Sequence, residues 1–136
     1  MRNSVEAQVM DLKAAKPLKI LLVDDDRFLA HFMVKCLEHH GFDCLNVFNQ
    51  SEFIETIEGG FAPDMVVTDL HIQSESGCDI LKYLRSNLRF RDIPVLLISS
   101  DGAGHKIAAE HKFSSFLPKN NLHRDLVARI HQLISR

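Results

Sequence analysis

The chain has 136 residues, is 46% hydrophobic and 25% charged, and carries a formal net charge of −2 at pH 7. That length suits one domain with a substantial core rather than two, and the near-neutral balance excludes nucleic-acid binding driven by bulk positive charge. No apolar run approaches the roughly 18 residues of a membrane span, residues 1–16 lack the continuous apolar stretch of a secretory signal, and three cysteines without CxxC spacing (Cys36, Cys44, Cys78) fit reduced thiols in a cytoplasmic protein better than a disulfide framework or a zinc site.

Residues 1–16 read as a tail or an extra helix, and Pro17 opens a domain over 17–136. Lys19-Ile20-Leu21-Leu22-Val23 is a nearly continuous apolar run that stops at Asp24-Asp25-Asp26, as a parallel strand covered on both faces would. Leu29, Phe32, Met33, Cys36 and Leu37 recur at helical spacing, with Gly41 placed as a C-terminal stop. Residues 42–48 read as a second strand. Asn49 with Glu52 forms a capping box that opens a helix through Phe53, Ile54 and Ile57, closed by Gly59-Gly60.

The pattern then repeats. Met65-Val66-Val67-Thr68 ends at Asp69, and a loop through Gly77 leads into a helix with Ile80, Leu81, Leu84 and Leu88 on one face. Pro94 to Ile98 is the most hydrophobic run and ends at Ser99-Ser100. A short helix around Ile107–Glu110, a strand near Phe116-Leu117 and a last helix with Leu122, Leu126, Ile130 and Leu133 in one stripe complete the chain. Asn120-Asn121 read as caps of that last helix. Five strands alternating with five helices predict an α/β fold, a doubly wound parallel sheet.

Ligands of such sheets bind beyond the carboxyl ends of the strands. The residues found there are Asp24 and Asp25, Asp69, Ser99 and Lys119. Converging carboxylates repel one another, and a hard divalent cation such as Mg²⁺ or Mn²⁺, coordinated by carboxylates and completed by phosphate oxygens, is their natural partner. A lysine and a hydroxyl would complete a site for a transferred phosphoryl group attacked by a carboxylate. Asp26, at the start of a helix, suits the helix dipole instead.

Together these residues resemble the response-regulator receiver family over residues 18–136. Val23-Asp24-Asp25 is similar to its acidic pair, Asp69 to its phosphoacceptor, Ser99 to its hydroxyl switch, Lys119 to its lysine and Phe116 to its rotating aromatic residue. Asp69 lies 44 positions after Asp25 and Ser99 lies 30 after Asp69, both spacings typical of the family. The resemblance implies a flavodoxin-like fold, Mg²⁺ held by Asp24, Asp25, Asp69 and the His71 backbone carbonyl, and a phosphoryl donor that is a sensor histidine kinase or a phosphotransfer protein. It also implies an output through an effector protein or a further domain, with no direct contact to nucleic acid or membrane. Such a domain is a signalling phosphoacceptor rather than a metabolic enzyme.

Three departures stand out. Ile72-Gln73 replaces the usual Met-Pro, removing a residue that stiffens the loop. Pro118-Lys119 inverts the usual Lys-Pro, which removes the family's cis peptide and bears on the reach of Lys119. Ser99 to Lys119 is 20 positions, about two short, so 101–112 should hold a shortened helix. His71 and Asp101 are expected to meet across the mouth of the site and tune the lifetime of the phosphoryl group. The alternatives are a phosphate-independent docking module and, more remotely, an aspartate-nucleophile phosphatase of the haloacid dehalogenase type, suggested by Asp24-x-Asp26.

Overall fold

The structure is a computed structural model that describes residues 16–135; the expected tail or extra helix lies almost wholly outside them. The elements are β1 (Lys19–Val23), α1 (Arg27–His39), β2 (Asp43–Val47), α2 (Gln50–Glu58), β3 (Met65–Asp69), a small hairpin of β4 (His71–Ile72) and β5 (Glu75–Ser76), α3 (Gly77–Arg85), β6 (Val95–Ser99), α4 (Gly104–His111), β7 (Ser115–Pro118) and α5 (Leu122–Ile134), entered through a 3₁₀ turn at Lys119–Asn121.

Five strands pair in the order β2-β1-β3-β6-β7, all parallel. Parallel strands need crossovers, and the helices supply them on both faces. On one face Leu21, Val23, Val66 and Leu97 pack under α2, α3 and α4 through Phe53, Ile57, Ile80, Leu84 and Ala108. On the other, Ile20, Leu22, Met65, Val67, Leu96 and Ile98 pack under α1 and α5 through Met33, Leu37, Leu126 and Ile130. Each fully buried aliphatic side chain contributes roughly 1.5–3 kcal/mol. This double covering is why β3 and β6 are buried at every residue and why they read as unbroken apolar runs.

The cap of α2 bears out the sequence, and at α1 the acid expected to suit the helix dipole proves to be a cap. Asp26 caps α1 by accepting from Leu29 N at 3.1 Å, and Asn49 caps α2 by accepting from Glu52 N at 2.8 Å. The short helix of the 101–112 stretch is α4, eight residues long.

Other expectations need correction. Leu88 does not extend the stripe of α3: the helix stops at Arg85, the Ser86-Asn87 pair turns the chain, and Leu88 is 84% exposed. Phe32 sits one position off the buried Ala30-Met33-Leu37 stripe, about 100° around the helix, and stays 42% exposed. Asn121 makes no side-chain capping bond, because the 3₁₀ turn already leads the backbone into α5. The β4–β5 hairpin was not expected at all.

No cis peptide bond occurs among the described residues, and no helix there is long and apolar enough to cross a membrane. The three cysteines are free, and burial pushes the Cys44 thiol up to about 12.

Candidate functional site

The site forms where the sheet order reverses, between β1 and β3, which is where a doubly wound fold opens a crevice. Val23 pairs with Thr68 in parallel register, so Asp24, just past β1, and Asp69, the last residue of β3, stand side by side. The end of β1 is pinned from its other side. Asn46 on β2 donates from Nδ2 to Leu22 O at 3.2 Å, Asp24 O at 3.4 Å and Val47 O at 3.0 Å, and Asp24 N donates to Val47 O at 3.1 Å. Asn46 is a contributor the sequence reading missed; a polar residue in a half-buried strand was its only signal.

Asp24, Asp25 and Asp69 each offer a carboxylate oxygen within 4.8 Å of the others. Lys119 Nζ reaches across from the end of β7 to donate to Asp69 Oδ2 at 2.8 Å, and lies 3.3 Å from Asp24 Oδ2. The Pro118-Lys119 order therefore leaves the lysine's reach intact. Burial by itself would pull the Lys119 ammonium down, but the Asp69 hydrogen bond and the Asp24 and Asp69 charges outweigh it and hold its pKa above the ordinary lysine value.

Asp24 is fully buried. Burial raises its pKa to about 6, with Asp69 adding to the rise, while the Asp26 amide and Lys119 work against it. Its Oδ1 accepts from Asp26 N at 2.9 Å. Its Oδ2 is buried without a hydrogen-bond partner, since Lys119 stands within ion-pair range but outside hydrogen-bonding geometry. The Lys119 charge offsets only part of the cost of burying that oxygen. Three carboxylates against one ammonium leave negative charge in excess. The orphaned oxygen, the hard oxygen donors and that excess together fit a divalent cation such as Mg²⁺.

Ser99 and Phe116 lie beside the acids rather than among them. They line a groove of about 440 Å³ together with Asp101, His105 and Asn120. Ser99, almost fully buried, accepts from Asp101 N at 3.0 Å. The buried Phe116 ring meets the His105 ring edge to face at 4.6 Å between centroids. Arg129 of α5 holds this strand, donating to Ser115 Oγ at 2.6 Å and Phe116 O at 2.8 Å.

His71 and Asp101 do meet across the mouth, Nε2 to Oδ2 at 3.0 Å. The Asp101 carboxyl is held below its usual value, first by the Ala103 amide and then by His71. The His71 amide faces Asp69 Oδ1 at 3.4 Å.

Comparison with known proteins bears on the family and the fold. Regulatory protein VirG of Agrobacterium tumefaciens (strain 15955) is 33% identical over 119 residues, covering 85% of this chain and 43% of VirG. Transcriptional regulatory protein CpxR of Escherichia coli (strain K12) is 30% identical over 120 residues, covering 87% of this chain and 50% of CpxR. The chain thus spans about half the length of these curated relatives. The crystal structure of a response regulator receiver protein from Sinorhizobium medicae superposes with a TM-score of 0.77 at 27% identity, over 88% of this chain and 96% of that one. Residues 20–131 match the family described as the response regulator receiver domain, and the chain belongs to that family.

Proposed function

We propose that the domain, residues 17–136, accepts a phosphoryl group on Asp69 from the phosphohistidine of a sensor histidine kinase or a phosphotransfer protein. The observation that carries this reading is the Asp69 carboxylate, held at 2.8 Å by the Lys119 ammonium within 4.8 Å of the Asp24 and Asp25 oxygens. An Asp69 oxygen attacks phosphorus, the phosphorus–nitrogen bond to the donor imidazole breaks, and the imidazole leaves with the bonding pair and takes a proton. Asp24, Asp25, Asp69 and the His71 carbonyl would hold Mg²⁺ or Mn²⁺, which when bound neutralises charge on the transferred group. Lys119 then neutralises a second phosphoryl oxygen, and the Ser99 hydroxyl donates to a third.

Movement of Ser99 toward the phosphoryl group, followed by Phe116, would reshape the groove both residues line, so that phosphorylation shifts a population between two packings. The output then passes to an effector protein or a further domain, and the setting is cytoplasmic. The 3.0 Å His71–Asp101 contact stands where it would slow water's approach to the acyl phosphate; a dephosphorylation rate unaltered in His71→Ala would remove that role. Asp26 serves as a helix cap and residues 20–131 match the receiver-domain family, which favours the receiver reading over a phosphatase of the haloacid dehalogenase type.

The test is incubation with acetyl phosphate, with and without Mg²⁺, read by intact mass. One phosphoryl group gained only with Mg²⁺, and absent in Asp69→Asn, is the expected result. No gain, with beryllofluoride also failing to bind, would instead favour a docking module that does not use phosphate.

A further inference from the structure

The segment between Asp69 and α3 carries the Ile72-Gln73 departure, and it is more firmly held than the loss of a proline suggests. Ile72 is fully buried, and the β4–β5 hairpin pairs His71 with Ser76 and Ile72 with Glu75. Gln50 N donates to Glu75 Oε1 at 3.0 Å, tying the hairpin to α2, and Gly77 N donates to Leu70 O at 2.8 Å at its base. At its tip Gln73 has a φ of 57°, in the left-handed region that few residues other than glycine adopt. An outlier of this kind next to a site points toward function. In that conformation Gln73 N donates to Asp25 Oδ2 at 3.1 Å, across 48 positions of sequence.

Proline could not take this place. It has no N–H, and its ring fixes φ near −65°, on the other side of zero from 57°. The residue that removes the expected stiffening therefore supplies a bond that proline cannot make.

Asp25 is only half-buried, so solvent alone would leave its carboxylate free to turn. Metal-ligating carboxylates are commonly fixed by a second hydrogen bond that sets their orientation. Resting on the reading of Asp24, Asp25 and Asp69 as a divalent-cation site, we propose that the Gln73 backbone amide is a positioning group for Asp25. It holds Oδ2 so that the other oxygen is presented to the cation, and it thereby links the hairpin to cation binding. Gln73 touches neither cation nor phosphoryl group; it acts through Asp25.

The test is calorimetric titration of Mg²⁺ into the full chain, as wild type, Gln73→Gly and Gln73→Pro. Gln73→Gly keeps the N–H and suits the positive φ, so its affinity should match wild type. Gln73→Pro should bind on the order of tenfold more weakly. A folded Gln73→Pro with wild-type affinity overturns the inference and leaves the cation site standing. Absence of Mg²⁺ binding in the wild type overturns both. Hydrogen exchange of the Gln73 amide decides the matter independently of how proline affects folding. In Asp25→Ala that amide should exchange about tenfold faster or more, and an unchanged rate overturns the inference.

Discussion

Two connections leave the middle of the sheet at its carboxyl edge, and they are built on opposite plans. The one after β3, residues 70–76, is tied to its neighbours: to Asp25 through Gln73, to α2 through Glu75 and to the core through Leu70 and Ile72. The one after β6, residues 100–103, is tied mostly to itself. Asp101 N bonds Ser99 Oγ at 3.0 Å, Ala103 N bonds Asp101 Oδ1 at 2.9 Å, and Gly104 N bonds Asp101 O at 3.0 Å. Its contact across the site is the His71–Asp101 pair, whose side chains are 67% and 35% exposed, and exposed pairs contribute little. A segment with few buried contacts can open at low free-energy cost. The first connection thus holds Asp25 to the hairpin, while the second has fewer ties and is the part that the proposed switch at Ser99 and Phe116 would move.

The largest effect should come from Gly77→Ala, at the closed end of the first connection. A Cβ there would fall well inside van der Waals contact of the Asp69 carbonyl oxygen, and 3.2 Å from Thr68 Oγ1. Backbone cannot swing aside as a side chain can, so α3 must retreat from β3. Overpacking of this kind costs about 3 kcal/mol, at the upper end of its usual range. Urea unfolding measures it. A near-neutral result would mean that the first connection is not rigid, and the contrast between the two would fail.

Next comes Asp24, the buried acid beside Asp25. The folded Asp24 carboxyl ionises near 6 and the unfolded one near 3.8. Between those values the folded state holds the extra proton, so the stability of the cation-free protein falls as pH rises through the window and levels off above it. A gap of that width between folded and unfolded ionisation corresponds to a loss on the order of 2–3 kcal/mol. Denaturation in the presence of a chelator from pH 4 to 8 should show this fall in wild type and a flatter profile in Asp24→Asn. If the two profiles run parallel, the buried carboxylate is not under the strain inferred from its orphaned oxygen.

What could be read from the sequence follows from this division. The acids, Ser99 and Lys119 were legible because a covered strand is an unbroken apolar run, and each run ends abruptly at the strand's last residue or just past it. Capping by Asn49 was legible because a helix start leaves amides that short polar side chains can satisfy, whereas Asp26 was placed at a helix start by its charge alone. The hairpin was not, because strands of two residues carry no period, and its main tie to the site is a backbone amide that any residue but proline could supply. Its one trace was the missing proline at Gln73, which sequence alone turned into an expectation of looseness. Leu88 misled for a related reason: apolar spacing continues past Arg85, whereas the helix ends with Ser86 and Asn87, which compete for backbone hydrogen bonds. Gly104 left no sign either, since the ring it accommodates comes from a strand that follows it in the chain.

The second connection can be probed at Gly102 within it and at Gly104, where α4 begins. Gly104 lies under the Phe116 ring, and a Cβ there would overlap the ring's edge carbons. Because a ring can shift where a carbonyl cannot, Gly104→Ala should cost less than Gly77→Ala, about 1–2 kcal/mol, and should move the Phe116 ring resonances. Gly102→Ala is the smallest and the sharpest test. No atom lies within 4 Å of its Cβ position, and Gly102 is not among the positive-φ residues. Alanine should therefore stabilise by about 0.4–1 kcal/mol by narrowing the unfolded ensemble. Because this connection is bonded chiefly within itself, the substitution should leave Mg²⁺ affinity at the wild-type value. If Gly102→Ala weakened Mg²⁺ binding as much as Gln73→Pro is expected to, the two connections would act as one unit, and the rearrangement around Ser99 would have to be shared with the hairpin.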